Sequence, residues 1–365
     1  MNSAGLLVDP LLGLVITALV WLTPSLTSPT LPFGVRIPAA RVNAPVIAEQ
    51  RGRYRWMVGV GGAGVIAVCT TLTATTHFGF PGMSPLLLAA LALAAFARAN
   101  RAIAAVKRDE DWYRGLRQGV VADTSLRTET ERFPWLWSIP ALLIVAATAV
   151  TGVVVYPSVP ERLPVHFNAV GHADNYATKS IGSVFFLVFT QAGVTALLLG
   201  LSWFSFRARP ELDPARPVDS ARRHRRFSVR AVVCLLLLAA CVNLSMFVAA
   251  WSMWHTGSLS PFLVLLPLLV GLLVVVGVAL RTGQAGSRLP AADGAAREPE
   301  TGMVQRDDDR YWHVAGSFYA NRTDPSLMVQ KRSGFGWTFN FGNPRALVLL
   351  VLIVGVPLLL PLIVH

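Results

Sequence analysis

The sequence predicts an all-α polytopic membrane protein with about eight transmembrane helices and a small cytoplasmic β-hairpin element. Apolar residues make up 53% of the 365 positions and charged residues only 14%. The apolar residues are gathered into long runs that approach the ~20 residues needed to span a bilayer. Arginine and lysine collect in every second segment between the runs, which is typical of a multi-pass membrane protein.

The apolar runs define the predicted transmembrane helices in order. We place eight of them at about 5–23, 56–76, 83–98, 135–156, 181–204, 229–251, 262–280 and 345–364. The third run is the shortest. Tryptophans such as Trp21, Trp56 and Trp135 lie near the ends of runs, where an amphipathic ring prefers the headgroup level.

The basic residues predict the orientation. They are concentrated in segments 24–55, 98–134, 205–230 and 281–345, whereas the other segments carry only Arg162 and Lys179. Because basic loops stay in the cytoplasm, we expect both termini and segment 157–180 to lie outside a bacterial plasma membrane. The net charge of +12 is then explained by orientation and contact with the lipid bilayer, and we expect no nucleic-acid partner.

Composition also predicts how the chain is divided. The divisions are an N-terminal three-helix membrane region with a basic cytoplasmic segment (1–134), a helix–loop–helix unit (135–206), a helix pair (207–280), a flexible linker rich in Ala, Gly and Pro (281–306), a small cytoplasmic β-containing domain (307–344) and a C-terminal transmembrane helix (345–365). In the small domain, Leu327–Lys331 and Trp337–Phe341 alternate apolar and polar residues around turn residues, which predicts a β-hairpin.

The polar loop Pro157–Lys179 is the strongest candidate for a functional site. Its prolines cannot continue the flanking helices, and Val165 and Phe167 alternate with His166 and Asn168, the pattern of a short strand. We expect the binding residues of this outer site to be His166, Asn168, Asp174 and Lys179.

The same loop resembles the signature of a bacterial membrane-protein family. Leu163, Pro164, His166, Phe167, Asn168, Gly171, Asp174 and Lys179 fall on its pattern, with Ala173 in place of the usual proline and Tyr176 in place of a tryptophan. The family is domain of unknown function sixteen-forty-eight, which includes SdpI-type immunity and signalling proteins. The resemblance implies an outward loop that senses or binds something at the cell surface, such as a peptide.

A second resemblance covers the small domain. The residues that carry it are Tyr311, Trp312, Gly316, Tyr319, Asn321, Asp324, Pro325, Lys331, Arg332, Gly334, Gly336, Trp337 and Asn340. They resemble an uncharacterised Trp/Gly-rich bacterial domain that occurs beside the first family. We expect Lys331, Arg332 and Trp337 to form an inner surface for a regulatory protein.

A metal site and a carrier remain as alternatives. Five histidines are predicted on the outer side and could together bind Zn²⁺ or Cu²⁺, although scattered interfacial histidines are the simpler interpretation: His77, His166, His172, His255 and His365. Acids are absent from the centres of the runs, which disfavours ion-coupled transport but leaves a carrier for a neutral or amphiphilic solute. We interpret Gln191 and Asn243 as helix–helix hydrogen-bonding residues.

The sequence carries no recognised catalytic motif. It contains no HExxH, GxSxG or P-loop pattern, and residues Gly59–Gly64 spell GxGxxG only inside an apolar run, without the preceding strand that a dinucleotide-binding site requires. A His166–Asp174 acid–base pair can be drawn, but a histidine near an aspartate in a loop is more often a structural hydrogen bond. We therefore expect no enzymatic activity and no cofactor.

Overall fold

The computed structural model describes residues 3–76, 83–121, 131–168, 171–208, 210–255, 258–290, 298–333 and 336–363. Eight long helices lie within them: α1 Ser3–Leu26, α2 Pro45–Thr76, α3 Met83–Asp109, α4 Ile139–Val155, α5 Ile181–Arg207, α6 Pro217–His255, α7 Pro261–Thr282 and α8 Pro344–Ile363. Seven helices in the described residues, α1 to α7, are long and apolar enough to cross a membrane. The predicted all-α polytopic membrane fold is confirmed.

Two helices extend well beyond their apolar runs. Helix α2 begins at Pro45, although its apolar run begins near 56, and α6 begins at Pro217, although its run begins near 229. Arginine, alanine and glutamate are good helix formers, and helical hydrogen bonds form inside the segment itself. The apolar run therefore predicts only the part of a helix that lies in the bilayer. It does not predict a polar extension of the same helix outside the bilayer. With 39 residues, α6 is about 58 Å long.

Helices α1, α2 and α3 form one packed group. The connection between α1 and α2 returns apolar side chains to it, and Phe33 packs its ring 5.3 Å from that of Tyr54 and 5.2 Å from that of Phe96. The Tyr54 hydroxyl donates a hydrogen bond of 2.8 Å to the carbonyl of Val20 on α1. A segment that hydropathy treats as a polar connection thus contributes to a core.

Helices α4 to α7 form a second group with polar contacts in its interior. The Gln191 amide donates to the carbonyl of Asn243 at 2.9 Å. The Asn243 amide donates to the Thr195 hydroxyl at 2.8 Å and to the carbonyl of Ala141 at 3.1 Å. These bonds join α4, α5 and α6, so the prediction that Gln191 and Asn243 serve helix–helix hydrogen bonding is confirmed.

The strands form four two-stranded pairs in the described residues. They are β1 Gln118–Gly119 with β4 Val304–Gln305 in parallel, and three antiparallel pairs: β2 Arg162–Phe167 with β3 Ala173–Thr178, β5 Trp312–His313 with β6 Phe318–Tyr319, and β7 Met328–Gln330 with β8 Trp337–Phe339. The β7–β8 pair confirms the hairpin predicted in the small domain. The β1–β4 and β5–β6 pairs were not predicted, because strands of two residues show no periodicity.

Segment 281–306 contacts other parts of the protein on both sides of its undescribed residues 291–297. Gln284 is buried, and its side-chain carbonyl accepts a bond of 3.0 Å from the amide of Ser28. Further on, the Glu298 carboxylate accepts a bond of 3.0 Å from the amide of Asp219 at the start of α6. The prediction of a flexible linker did not anticipate these contacts, because composition reports local preference and not tertiary partners.

The connections between helices gather at two ends of the protein. We call the first the hairpin end, because it holds the β2–β3 hairpin, and there His172 forms a β-bridge with Ser258 of the α6–α7 connection. We call the second the network end, because it holds ion pairs between the α1–α2 connection, α3 and segment 307–332. The segments rich in arginine lie together at the network end, as their alternation in the sequence predicts.

Candidate functional site

The β2–β3 hairpin carries a bulge on each strand. The pairing passes from Pro164–Tyr176 to His166–Asn175 and then to Phe167–Ala173, so that Val165 and Asp174 are the extra residues. A bulge changes the direction of nearby side chains, and bulges are common beside functional sites. Here the two bulges bring His166 and Asp174 together from opposite strands.

His166 and Asp174 form the exposed polar pair of this end. The His166 Nδ1 atom lies 2.5 Å from the Asp174 Oδ1 atom, and the side chains are 66% and 44% exposed. In the part of the chain that the structure describes, the imidazole bonds to Asp174 through Nδ1, and its Nε2 is available to a ligand or to water because the side chain is exposed. The carboxylate fixes the ring, so the pair can donate to or accept from a polar ligand.

Asn168 shapes the tip of the hairpin. Its side-chain oxygen accepts a bond of 3.0 Å from the amide of His172, and its own amide donates to the carbonyl of His172 at 2.9 Å. The amide of Gly171 donates to the carbonyl of Asn168 at 2.9 Å. Asn168 therefore acts on the site through the conformation of the turn.

Gly171 anchors this tip to the α6–α7 connection. Its φ is +85°, and its carbonyl accepts a bond of 2.9 Å from the amide of Leu259. A Cβ at this position would lie 1.8 Å from the carbonyl oxygen of Leu259. Only glycine fits both this left-handed backbone and this close approach.

Lys179 closes the base of the hairpin. Its ammonium donates to the carbonyl of Val159 at 2.9 Å and lies 5.1 Å from the centre of the Tyr156 ring. These groups follow directly after α4, where a cation is favourable beside the terminal carbonyls of the helix. The structure thus connects Lys179 to the frame of the loop.

The hairpin is seated on the second helix group. Leu163 is fully buried in a cluster with Val159 and with Val184, Met253 and Trp254 of α5 and α6. The indole of Trp254 donates a bond of 3.0 Å to the carbonyl of Val184. Apolar burial under one side of the hairpin leaves the polar pair on the other side in solvent.

Arg332 lies inside the network end and does not form part of an exposed surface. Its side chain is 0% exposed, and its guanidinium forms ion pairs with Asp308 and Asp309. It also donates to the carbonyl of Gly34 at 3.2 Å and lies 4.8 Å from the centre of the Trp312 ring. The surface position expected for Arg332 is therefore wrong, because this arginine pairs with partly buried acids that lie 23 and 24 residues earlier in the chain.

The rest of the network was not found in the sequence. Arg36 pairs with Asp308 at 2.7 Å and with Glu211, and Lys107 pairs with Asp307 at 2.7 Å and Asp309 at 2.6 Å. The run Asp307–Asp309 within a basic segment was the available signal. It could not indicate which of the many basic residues would lie opposite.

Charge pairing in this network changes two pKa values. Burial by itself raises the pKa of the Asp308 carboxyl, but the charges of Arg36 and Arg332 and hydrogen bonds from Arg36 and Trp312 lower it below its ordinary value. Burial alone would lower the pKa of the Arg36 guanidinium, yet Glu211 and Asp308 raise it. Both groups are therefore charged at neutral pH.

Lys331 and Trp337 lie beside this network in the β7–β8 hairpin. The amide of Lys331 donates to the carbonyl of Gly336 at 3.0 Å, and its carbonyl accepts from the Gln284 side chain. The ring of Trp337 packs 6.1 Å from that of Phe227 on α6. Of the predicted inner set, Trp337 contacts a helix and Lys331 remains partly exposed.

The proposed histidine cluster can be examined only in part, since His77 and His365 lie outside the described residues. His166 pairs with Asp174, and His255 stacks on Trp251 with 4.0 Å between ring centres. Within the described ranges, no group of three or more His, Cys, Asp or Glu side chains is arranged to hold a metal. Metal binding stays an untested hypothesis.

Comparison with known families gives two matches. The model of the Domain of unknown function (DUF1648) matches residues 142–191, and that of the Family of unknown function (DUF5808) matches residues 322–347. Two segments of the chain are thus similar to families of unknown function. The first spans most of α4, the β2–β3 hairpin and the start of α5, and the second spans the β7–β8 hairpin and the start of α8. No curated protein and no solved structure matches the chain.

Proposed function

We propose that this multi-pass membrane protein is a surface receptor or immunity protein that binds a peptide at the β2–β3 hairpin. The exposed His166–Asp174 pair carries this proposal, because it is a polar site on a frame held at tip and base. A fixed frame lowers the entropic cost of binding. The proposal includes no catalytic step and no nucleic-acid partner.

Helix α6 supports the second part of the proposal, a relay to the network end. Its Met253 and Trp254 pack under the hairpin, whereas its Phe227 contacts Trp337 of the small domain. One rigid element thus contacts both ends of the protein. A ligand that shifts the hairpin would bias the position of α6, and a regulatory protein bound to the small domain would respond.

The proposal also places the hairpin end outside the plasma membrane and the network end in the cytoplasm. The distribution of arginine and lysine supports this orientation. It can be tested in a cysteine-free protein that carries either Glu161→Cys or Arg222→Cys, both at exposed positions. An impermeant maleimide should label position 161 in intact cells. If position 222 is labelled and position 161 is not, the orientation is the opposite of the one proposed, and the proposal is contradicted.

Growth of a deletion strain in its own spent medium tests the function. Removal of the protein should sensitise cells to a secreted peptide, and His166→Gln should lower the tolerated amount about tenfold, as expected for loss of one charge-assisted hydrogen bond. Thr178→Ala, at another exposed position of the same hairpin, is the matched control and should complement fully. Equal complementation by His166→Gln and Thr178→Ala would contradict the assigned site.

A carrier for a neutral or amphiphilic solute is the second candidate. The side-chain oxygens of Gln191 and Asn243 are buried at membrane depth and lack a hydrogen-bond donor among the described residues. Such acceptors can bind the hydroxyl or amide groups of a solute. Altered solute uptake in the deletion strain, reproduced by Asn243→Leu and accompanied by unchanged peptide resistance, would favour the carrier.

A further inference from the structure

We propose that a groove between α2 and α3 binds the phosphate of an anionic phospholipid at the network end. The groove has a volume of about 390 Å³ and is lined by Gly52, Arg53, Trp56 and Met57 of α2 and by Arg98 of α3. The groove is open on one side, where a lipid headgroup can enter it from the bilayer surface. The inference is independent of the proposed receptor function.

The groove lies where both helices change from charged to apolar sequence. On α2, the last arginine before the apolar run is Arg55, and Trp56 begins that run. On α3, Arg98 is the first charged residue after an uncharged stretch that begins at Met83. Polar headgroups occupy this level of a bilayer, and Trp56, which is 68% exposed, is the type of side chain that prefers it.

Arg98 provides a cation without a protein counter-ion. In the described part of the chain, its guanidinium has no carboxylate partner, and its recorded hydrogen bond goes to the thioether sulfur of Met57 at 3.5 Å. Thioether sulfur is a weak acceptor, so most of the five guanidinium donors are left to solvent or ligand. A planar guanidinium matches two oxygens of a phosphate, which makes the phosphodiester of a lipid a suitable partner.

Arg53 brings a second cation to the groove. It pairs with Glu49 one helical turn away at 2.6 Å, and both side chains are about half exposed. An exposed pair of this kind contributes little free energy, so Arg53 can turn to a lipid phosphate at low cost. Two arginines lining one groove predict a preference for anionic over zwitterionic lipid, because the choline headgroup carries its own positive charge.

Gly52 leaves the space that the headgroup needs. A Cβ built at this position meets no atom within 4 Å, so the groove beside it is open. A larger side chain would enter this space without changing the charge of either arginine. Gly52→Leu and the charge variant Arg53→Gln/Arg98→Gln therefore test the same site by two separate routes.

The experiment measures lipid binding to the full chain purified in a neutral detergent. Dioleoyl phosphatidylglycerol is titrated against dioleoyl phosphatidylcholine, and bound lipid is counted by native mass spectrometry. We expect the wild type to retain one tightly bound phosphatidylglycerol, and each of the two variants to bind it at least about tenfold more weakly. The matched control, Arg222→Gln/Arg230→Gln, removes two exposed arginines of α6 and should bind within about twofold of the wild type.

Four results would overturn the proposal, and three of them come from the lipid titrations. They are wild-type affinity in both groove variants, an equal loss of affinity in the α6 control, and equal binding of phosphatidylcholine. Inorganic phosphate separates the lipid from a free anion. Full competition by phosphate at the affinity of the lipid would show a site for the free ion and would also overturn the lipid assignment. Far-ultraviolet circular dichroism of each variant confirms that it is folded.

Discussion

The two ends of this protein use charge in opposite ways. At the hairpin end, His166 and Asp174 are exposed and lie eight residues apart in the chain. At the network end, Arg332 is fully buried, and the oxygen that it contacts on Gly34 is 298 residues away. An exposed pair contributes little to stability and remains available to a ligand, whereas a buried pair holds distant segments together. Under the proposed function the first end serves recognition, whereas the buried ion pairs of the second end join distant segments of the chain.

Arg332→Met should have the largest effect. The substitution removes a fully buried cation from the partly buried Asp308 and Asp309, and we expect a loss of about 3 kcal/mol in the free energy of unfolding. Thermal unfolding of the purified protein measures this loss. Arg310→Met is the control, because Arg310 is exposed and stacks on Tyr311. Equal destabilisation by the two substitutions would contradict the assignment of a stabilising role to the buried ion pairs of the network end.

Acid should produce the next largest effect. The pKa of Asp308 is lowered on folding from its ordinary value of 3.8, so its charged form stabilises the folded state. This contribution is fully present above about pH 4 and is lost as the pH falls further, through the lowered value. The melting temperature should therefore change little between about pH 7 and 5 and fall below about pH 4. If Asp308→Asn shows the same acid dependence as the wild type, Asp308 is not responsible.

Gly171→Ala should have a smaller effect, confined to the hairpin end. The added Cβ meets the carbonyl of Leu259 and forces a residue with a side chain into the left-handed region, which costs about 1–3 kcal/mol. Faster hydrogen exchange at the Leu259 amide would report the detached tip. Gly115→Ala is the control, because Gly115 has a φ of +72° but open space around its Cβ. An equal response at both glycines would mean that backbone strain alone, and not contact with Leu259, decides the result.

Much of the fold could be predicted because it depends on local chemistry. Runs of apolar residues and the alternation of basic segments indicated the helices and how their connections group, and the alternating residues at Met328–Gln330 indicated a strand. The helical extensions at Pro45 and Pro217 were missed, because hydropathy is silent about polar helix outside the bilayer. The strands of two residues were not predicted, because two residues are too few to show the apolar–polar alternation of a strand.

The candidate site was predicted in part for the same reason. His166 and Asp174 occur in one short loop, so the sequence could propose them as a pair, but only the two bulges of the hairpin show how they meet. Asn168 and Lys179 proved to contact backbone of the loop, a role that depends on the turn and on the end of α4. Arg332 was expected at a surface, since nothing near it in the sequence indicates acidic partners.

The sequence by itself determined that this is a multi-pass helical membrane protein with a polar proline-rich loop and a small β-containing domain. These features follow from composition and short-range periodicity, which each segment carries regardless of its neighbours. Tertiary structure alone decided that Arg36, Lys107 and Arg332 share a cluster with four carboxylates and that the hairpin tip rests on Leu259. Pairing between distant segments depends on packing of the whole chain. Many basic residues could form ion pairs with the same carboxylates, and the packing decides which of them lie close enough to do so.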